Sequence, residues 1–258
     1  MTAPPSHRPP ATRSVSLIIP MFNEQDSIEH AIDCARHALD SAADDWEIII
    51  VNDASTDGSP AIVEKHAAND GRIRLLHHEF NRKLGATVRT GFDAATRDLV
   101  VYMDADLPFD PHVAIRRGID ALEVSRADMI AAYRFDRTTE GLKRTLYSYF
   151  YNFLIGTLFG WPHRDVNFSF KLIRRDVLRT IELRSEGSLI DAELLVKARN
   201  LGYVVQQIGL DYFPRSRGES TLSSPRVILK IFRELFSLYP EMKHPKRKGA
   251  SDQSVGAE

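Results

Sequence analysis

The residues best suited to chemistry are two aspartates one residue apart, Asp104 and Asp106, directly behind the apolar run Leu99-Val100-Val101-Tyr102-Met103. A short Val-rich run closed by polar residues and Pro108 reads as a buried parallel strand. Side chains alternate along a strand, so both carboxylates are expected to face one way at its carboxyl end. That end is where open α/β sheets bind ligands. Two carboxylates so close repel unless one protonates or a cation lies between them. Mg²⁺ or Mn²⁺, hard ions with oxygen ligands, would relieve the repulsion and then hold a diphosphate. The plain alternative is a pair of solvated loop carboxylates; the apolar strand in front favours the metal site.

The elements that must position this pair follow from pattern. Ser16–Pro20 and Trp46–Val51 read as short buried strands, the second running into Asn52-Asp53-Ala54-Ser55-Thr56-Asp57-Gly58. Apolar Ile28, Ala31, Ile32 and Ala35 at helical spacing predict a helix between them, to about Ala42. A helix over 59–70, a strand at Ile73–His77 and a helix over 84–96 lead to the aspartates. Asp110-Pro111 is an N-cap with Pro at the first helical position, opening a helix to about Ser125, and Met129–Ala132 is a further strand. Strands alternating with helices predict a Rossmann-like α/β fold, a mostly parallel sheet with helices on both faces. Beyond Arg134 the rhythm changes. Residues 145–162 carry no charge and many aromatics, and 165–171 reads as a polar-aromatic loop. Ser188 to Asp191 resembles a capping box opening a helix to about Leu201; Tyr203–Ile208 is a last strand, and Pro225 starts a helix to about Tyr239. Residues 1–13 and 241–258 are expected to be disordered tails around one domain, 14–240.

Composition narrows the function. The 258 residues carry 34 Lys and Arg against 35 Asp and Glu, a net charge of −1, which argues against a general nucleic-acid binder. The single cysteine, Cys34, excludes an internal disulfide framework and fits a reducing compartment.

Together, Pro20-Met21-Phe22-Asn23-Glu24, Asn52-Asp53 with Ser55-Thr56-Asp57-Gly58, and Asp104-Ala105-Asp106 resemble in order and spacing the motifs of family 2 glycosyltransferases with the GT-A fold. Asp104-Ala105-Asp106-Leu107, Ser169-Phe170-Lys171, Asp191-Ala192-Glu193 and Arg215 through Ser220 look like the polyprenol-phosphate sugar synthases, dolichol-phosphate mannose synthases among them. The resemblance covers about residues 14–235. Two positions depart from that subgroup: Pro108 stands where Gln is common, and Phe168-Ser169-Phe170 replaces Ser-Gly-Phe.

The resemblance implies inverting transfer of a hexose from a GDP- or UDP-hexose to a polyprenyl phosphate. Pro20, Asn23 and Glu24 would border the nucleoside and Asp53 would hydrogen-bond the base. Asp104 and Asp106 would hold Mg²⁺ or Mn²⁺ on the diphosphate. Arg134, Lys171, Arg215, Arg217 and Ser220 would grip phosphates, Arg being suited to bidentate contact. The acceptor decides the role of Asp191: a sugar or other hydroxyl needs a general base there. A phosphate acceptor, already largely dianionic at neutral pH, does not. Both acceptors stay open at this point. The aromatic stretch at about 142–162, uncharged from Thr145 on, and the basic amphipathic helix at 225–239, with Ile228, Ile231, Phe232, Leu235 and Phe236, are expected to lie on the membrane. Neither is apolar enough to span it. The expected place is thus the cytoplasmic side, peripheral to the inner membrane face, with room for a separate membrane-protein partner.

Overall fold

Seven strands form one sheet in a computed structural model that describes residues 13–136, 142–160, 164–213 and 225–248. The first half alternates as its pattern requires: β1 (Ser14–Met21), α1 (Ile28–Ala42), β2 (Asp45–Asn52), α2 (Ser59–Asn69), β3 (Ile73–His77), α3 (Lys83–Ala94), β4 (Leu99–Tyr102), α4 (Pro111–Ser125) and β5 (Met129–Arg134). Then come α5 (Leu142–Phe159), β6 (Lys171–Arg174), α6 (Arg175–Thr180), α7 (Ile190–Asn200), β7 (Val205–Leu210) and α8 (Pro225–Lys243). The order across the sheet is β3-β2-β1-β4-β6-β5-β7. Pairing is parallel except at β6, which runs antiparallel to both β4 and β5.

Alternation along β4 shows why the sheet is covered twice. Leu99 and Val101 pack with Ile32, Leu39 and Ile115 of α1 and α4. Val100 and Tyr102 face the other way, toward Val88 and Phe92 of α3 and Leu194 of α7. A strand buried on both faces needs the unbroken apolar run that the sequence carries. At the start of α4, Asp110 accepts from the His112 N–H at 2.9 Å, with Pro111 as first helical residue.

The structure corrects the sequence expectations in the second half. The loop expected over 165–171 ends at Phe170, and Lys171 begins β6, wedged between β4 and β5 with Lys171 opposite Tyr102 and Ala131. Asp191 does not close a capping box: α7 is preceded by Leu189, with no side-chain cap. α8 runs on to Lys243, and beyond it Arg247 bridges Ile181 while the Lys248 N–H donates to the Thr180 carbonyl at 2.8 Å. Residues 241–248 are therefore ordered against α6, not a free tail. Both α5 and α8 also supply core: Ile155, Leu235, Leu238 and Met242 are buried.

Candidate active site

The carboxyl ends of β1, β2 and β4 lie side by side at one edge of the sheet, the edge at which open α/β sheets form their ligand crevice, and the loops there are held to one another by polar side chains. The Asn23 N–H donates to Ser55 Oγ at 3.0 Å and its amide oxygen accepts from the Thr56 N–H at 2.8 Å. The Glu24 N–H donates to Ser59 Oγ at 2.8 Å, and the Gln25 N–H to Asp57 at 3.1 Å. The loops after β1 and β2 thus stabilise each other. Pro20 lies half-buried at the end of β1, with Glu24 half-buried and Asn23 exposed beyond it. Asn23 (φ 57°), Ala54 (61°), Lys83 (73°) and Leu107 (45°) hold left-handed backbone conformations around this crevice. For Ala, Lys and Leu these conformations are costly, and strain of that kind collects at functional sites.

Asp53 is the polar centre of the β2 side. It is buried, and its Oδ1 accepts from His78 Nδ1 at 2.7 Å and from the Arg82 N–H at 2.8 Å. Its Oδ2 accepts from the Lys83 N–H at 2.9 Å. The carboxylate therefore fixes the start of α3, and His78 is fixed in turn by Thr90 Oγ1, 2.9 Å from Nε2. His78 is the residue that sequence reasoning missed. The signal was the pair His77-His78 at the carboxyl end of a predicted strand.

Asp104 and Asp106 stand just past β4, not on it, since the strand ends at Tyr102. Both are half-buried at the crevice. Among the described residues, no group of three or more His, Cys, Asp or Glu side chains forms a metal cage. Two carboxylates suffice for Mg²⁺ or Mn²⁺ when substrate phosphates and water complete the shell, and the donor set here is hard oxygen only. The pair fits such an ion.

Behind Asp104 lies a buried charge cluster. The Tyr102 hydroxyl is 3.4 Å from Asp104 Oδ1. Burial pushes that hydroxyl well above its ordinary pKa, and the charges of Asp104 and Asp191 push the same way. Lys171, fully buried, sets its ammonium 5.9 Å from the Tyr102 ring centroid and donates to Asp191 Oδ1 at 2.5 Å and to the Phe168 carbonyl. Burial pushes the Asp191 carboxyl up, and the ammonium of Lys171 opposes that. Glu193, also buried, accepts from Lys197 Nζ at 2.6 Å and from the main-chain N–H groups of Arg184 and Ser185.

Two expected phosphate ligands are engaged by carboxylates. Lys171 is spent on Asp191 with no exposure to solvent. Arg134 is buried and makes a two-point pair with Asp165, Nε to Oδ2 at 2.6 Å and Nη2 to Oδ1 at 2.9 Å, so the fork that would grip a phosphate is occupied. Arg215, Arg217 and Ser220 lie outside the described residues.

The outer surface of α5 is apolar. Leu146, Tyr149, Phe150 and Phe153, at helical spacing, are 68, 60, 56 and 71% exposed. The Phe150 ring lies 6.5 Å from that of Phe232, so α8 adjoins this face, with Phe236 exposed beside it. Among the described residues no helix is long and apolar enough to cross a membrane.

Comparison with known proteins bears on this arrangement. Residues 16–182 match the family described as Glycosyl transferase family 2. Over 252 residues the chain is 27% identical to dodecaprenyl-phosphate galacturonate synthase of Rhizobium johnstonii, covering 96% of this chain and 73% of that one. It is 32% identical over 179 residues to a prophage bactoprenol glucosyl transferase homolog of Escherichia coli, covering 68% of this chain and 56% of that protein. The chain thus spans little more than half the length of that second relative. Glucosyl-3-phosphoglycerate synthase of Mycobacterium tuberculosis, solved with UDP, superposes with a TM-score of 0.67 over 88% of this chain and 80% of its own, at 19% identity. The fold is the GT-A fold.

Proposed function

Because the chain belongs to glycosyl transferase family 2, we propose that it moves a hexose, with inversion, from a nucleotide sugar to a polyprenyl phosphate at a membrane surface. Relatives that carry lipid-phosphate sugar transfer in their names support this reading. The observation that carries it is the Lys171–Asp191 pair. A hydroxyl acceptor needs a base in reach of its proton, and Asp191 is buried with its carboxylate already accepting from an ammonium. A phosphate acceptor is its own nucleophile and needs none.

Each residue then has a task. Pro20, Asn23 and Glu24 border the nucleoside, and Asp53 meets the base. Asp104 and Asp106 hold Mg²⁺ or Mn²⁺, which when bound neutralises charge on the departing diphosphate. Tyr102 and the pair behind it keep Asp104 in place. Arg215 supplies the charge that Arg134 and Lys171 do not. The α5–α8 face rests on the lipid interface, where aromatics favour the headgroup boundary and exposed Arg164, Lys230 and Arg233 meet anionic lipid. That lets a lipid phosphate reach the crevice while its prenyl chain stays in the bilayer, on the cytoplasmic side.

The test incubates the purified chain with Mn²⁺, labelled UDP- and GDP-hexoses, and either undecaprenyl phosphate in detergent or soluble sugars. Label in the lipid fraction is expected. Label confined to soluble saccharide would favour the hydroxyl-acceptor reading, and no transfer with any donor would favour an inactive binding domain.

A further inference from the structure

We infer that His78 makes the donor site selective for a base offering a single ring N–H, a uracil-type pyrimidine, over guanine. The inference rests on the donor-side reading above, in which Asp53 meets the base, and it adds which base.

The argument is a count of lone pairs. A carboxylate offers about four acceptor positions, two on each oxygen. On Asp53, Oδ1 accepts from His78 Nδ1 and from the Arg82 N–H, so both of its positions are taken. Oδ2 accepts from the Lys83 N–H alone and keeps one position. His78 cannot swing away from Oδ1 without cost, because its other nitrogen is engaged by Thr90 Oγ1 at 2.9 Å and its side chain is 5% exposed. A carboxylate only accepts, so Nδ1 carries the proton toward Asp53, while the hydrogen bond between Nε2 and Thr90 Oγ1 fixes the far side of the ring. The main-chain N–H groups of Arg82 and Lys83 are equally fixed, since they open α3.

Asp53 therefore presents one free acceptor position. Uracil offers one ring N–H and is fully met. Guanine offers two parallel N–H groups on one edge, a ring N–H and an amino N–H, which match a carboxylate only when each oxygen keeps an open acceptor position. With Oδ1 filled by His78, one guanine donor would be desolvated against Asp53 with no partner. A buried donor left unpaired costs more than a hydrogen bond gains. His78 acts through Asp53 and is a positioning residue.

The experiment is isothermal titration of the full chain with UDP and with GDP, each in MnCl₂. Wild type is expected to bind UDP tighter than GDP on the order of 10- to 100-fold, the equivalent of one unpaired buried donor. His78→Ala, which opens one acceptor position on Oδ1 beside the Arg82 N–H, is expected to bring the ratio toward one. His78→Asn, whose amide N–H replaces Nδ1–H, and Thr90→Val, which leaves Nδ1–H in place, are expected to keep it, with thermal melts checking that each variant is folded. Equal or tighter binding of GDP by wild type overturns the inference even where no variant folds. So does an unchanged ratio in a folded His78→Ala protein. Binding of neither nucleotide would overturn the donor-side reading itself, and this inference with it.

Discussion

On the donor side of the crevice Asp53 is held by two main-chain N–H groups and His78, whereas across it Asp191 and Glu193 are each neutralised by a buried lysine. The first arrangement holds its carboxylate with two main-chain N–H groups and an imidazole and uses no lysine or arginine side chain, which suits the proposed donor side, where a cation is collected and a base is read. The second cancels charge internally, with Lys171 at 0% and Lys197 at 3% exposure. That suits a wall beside which an already charged nucleophile needs no proton removed. The aromatic outer face of α5 belongs to this second half, so in the proposed reading the side that handles no protons is also the side turned toward lipid.

The comparison breaks first at the metal pair. Asp106→Ala is expected to lower turnover on the order of 1,000-fold, about 4 kcal/mol in the transition state, and to abolish Mn²⁺ binding in titration calorimetry. Full turnover in excess EDTA would remove the reason for an open negative charge on the donor side. Next, Lys171→Met leaves Asp191 buried without its cation and is expected to cost about 3–5 kcal/mol in urea unfolding. Adding Asp191→Leu should recover most of that loss. A cost near zero for Lys171→Met would mean that the pair is solvated, and the contrast between the two sides would fail.

The donor half was legible because its signals are local. Short apolar runs, an Asp-Pro helix start and polar residues at strand ends each act within a few residues, and Ile73–His77 was placed to the residue. The second half turns on pairings that local pattern does not carry. Lys171-Leu172-Ile173-Arg174 is too short and too charged at its ends to read as a strand, and it becomes one only between β4 and β5. The same long-range packing buries Lys171 and Arg134 against Asp191 and Asp165. Their positive charge in the sequence pointed to a phosphate, while the fold spends it on carboxylates. His78 was hidden for a different reason: its meaning depends on Asp53 and Thr90, on two other elements.

Two smaller effects sharpen the contrast. Under the donor half, burial pushes the Glu47 carboxyl up, but hydrogen bonds from Ser16, Thr96 and Arg74 outweigh it and hold the group at about 2. A depressed acid stabilises the fold above its ordinary value of 4.5 and loses that contribution as pH falls toward 2. Glu47→Gln is therefore expected to cost about 2–3 kcal/mol at neutral pH in urea unfolding, with the gap from wild type closing through that acid window. A gap that stays constant with pH would detach the group from the account. On the exposed aromatic face of α5, Phe153→Glu is expected to weaken flotation with anionic liposomes by about tenfold while leaving the melting temperature unchanged, as loss of one exposed aromatic requires. Wild type that stays in the soluble fraction at low salt would show that this face does not meet lipid.

The central claim is that the acceptor's phosphate oxygen is the nucleophile and that no side chain removes a proton. It is tested most directly by giving the wild-type chain, with Mn²⁺ and one nucleotide hexose, two acceptors of identical prenyl length: the polyprenyl phosphate and the corresponding free polyprenol. The expected result is a hexosylated phosphate by mass spectrometry and no hexosylated alcohol at matched concentration. Comparable glycosylation of the polyprenol would require a general base beside the crevice and would contradict the account.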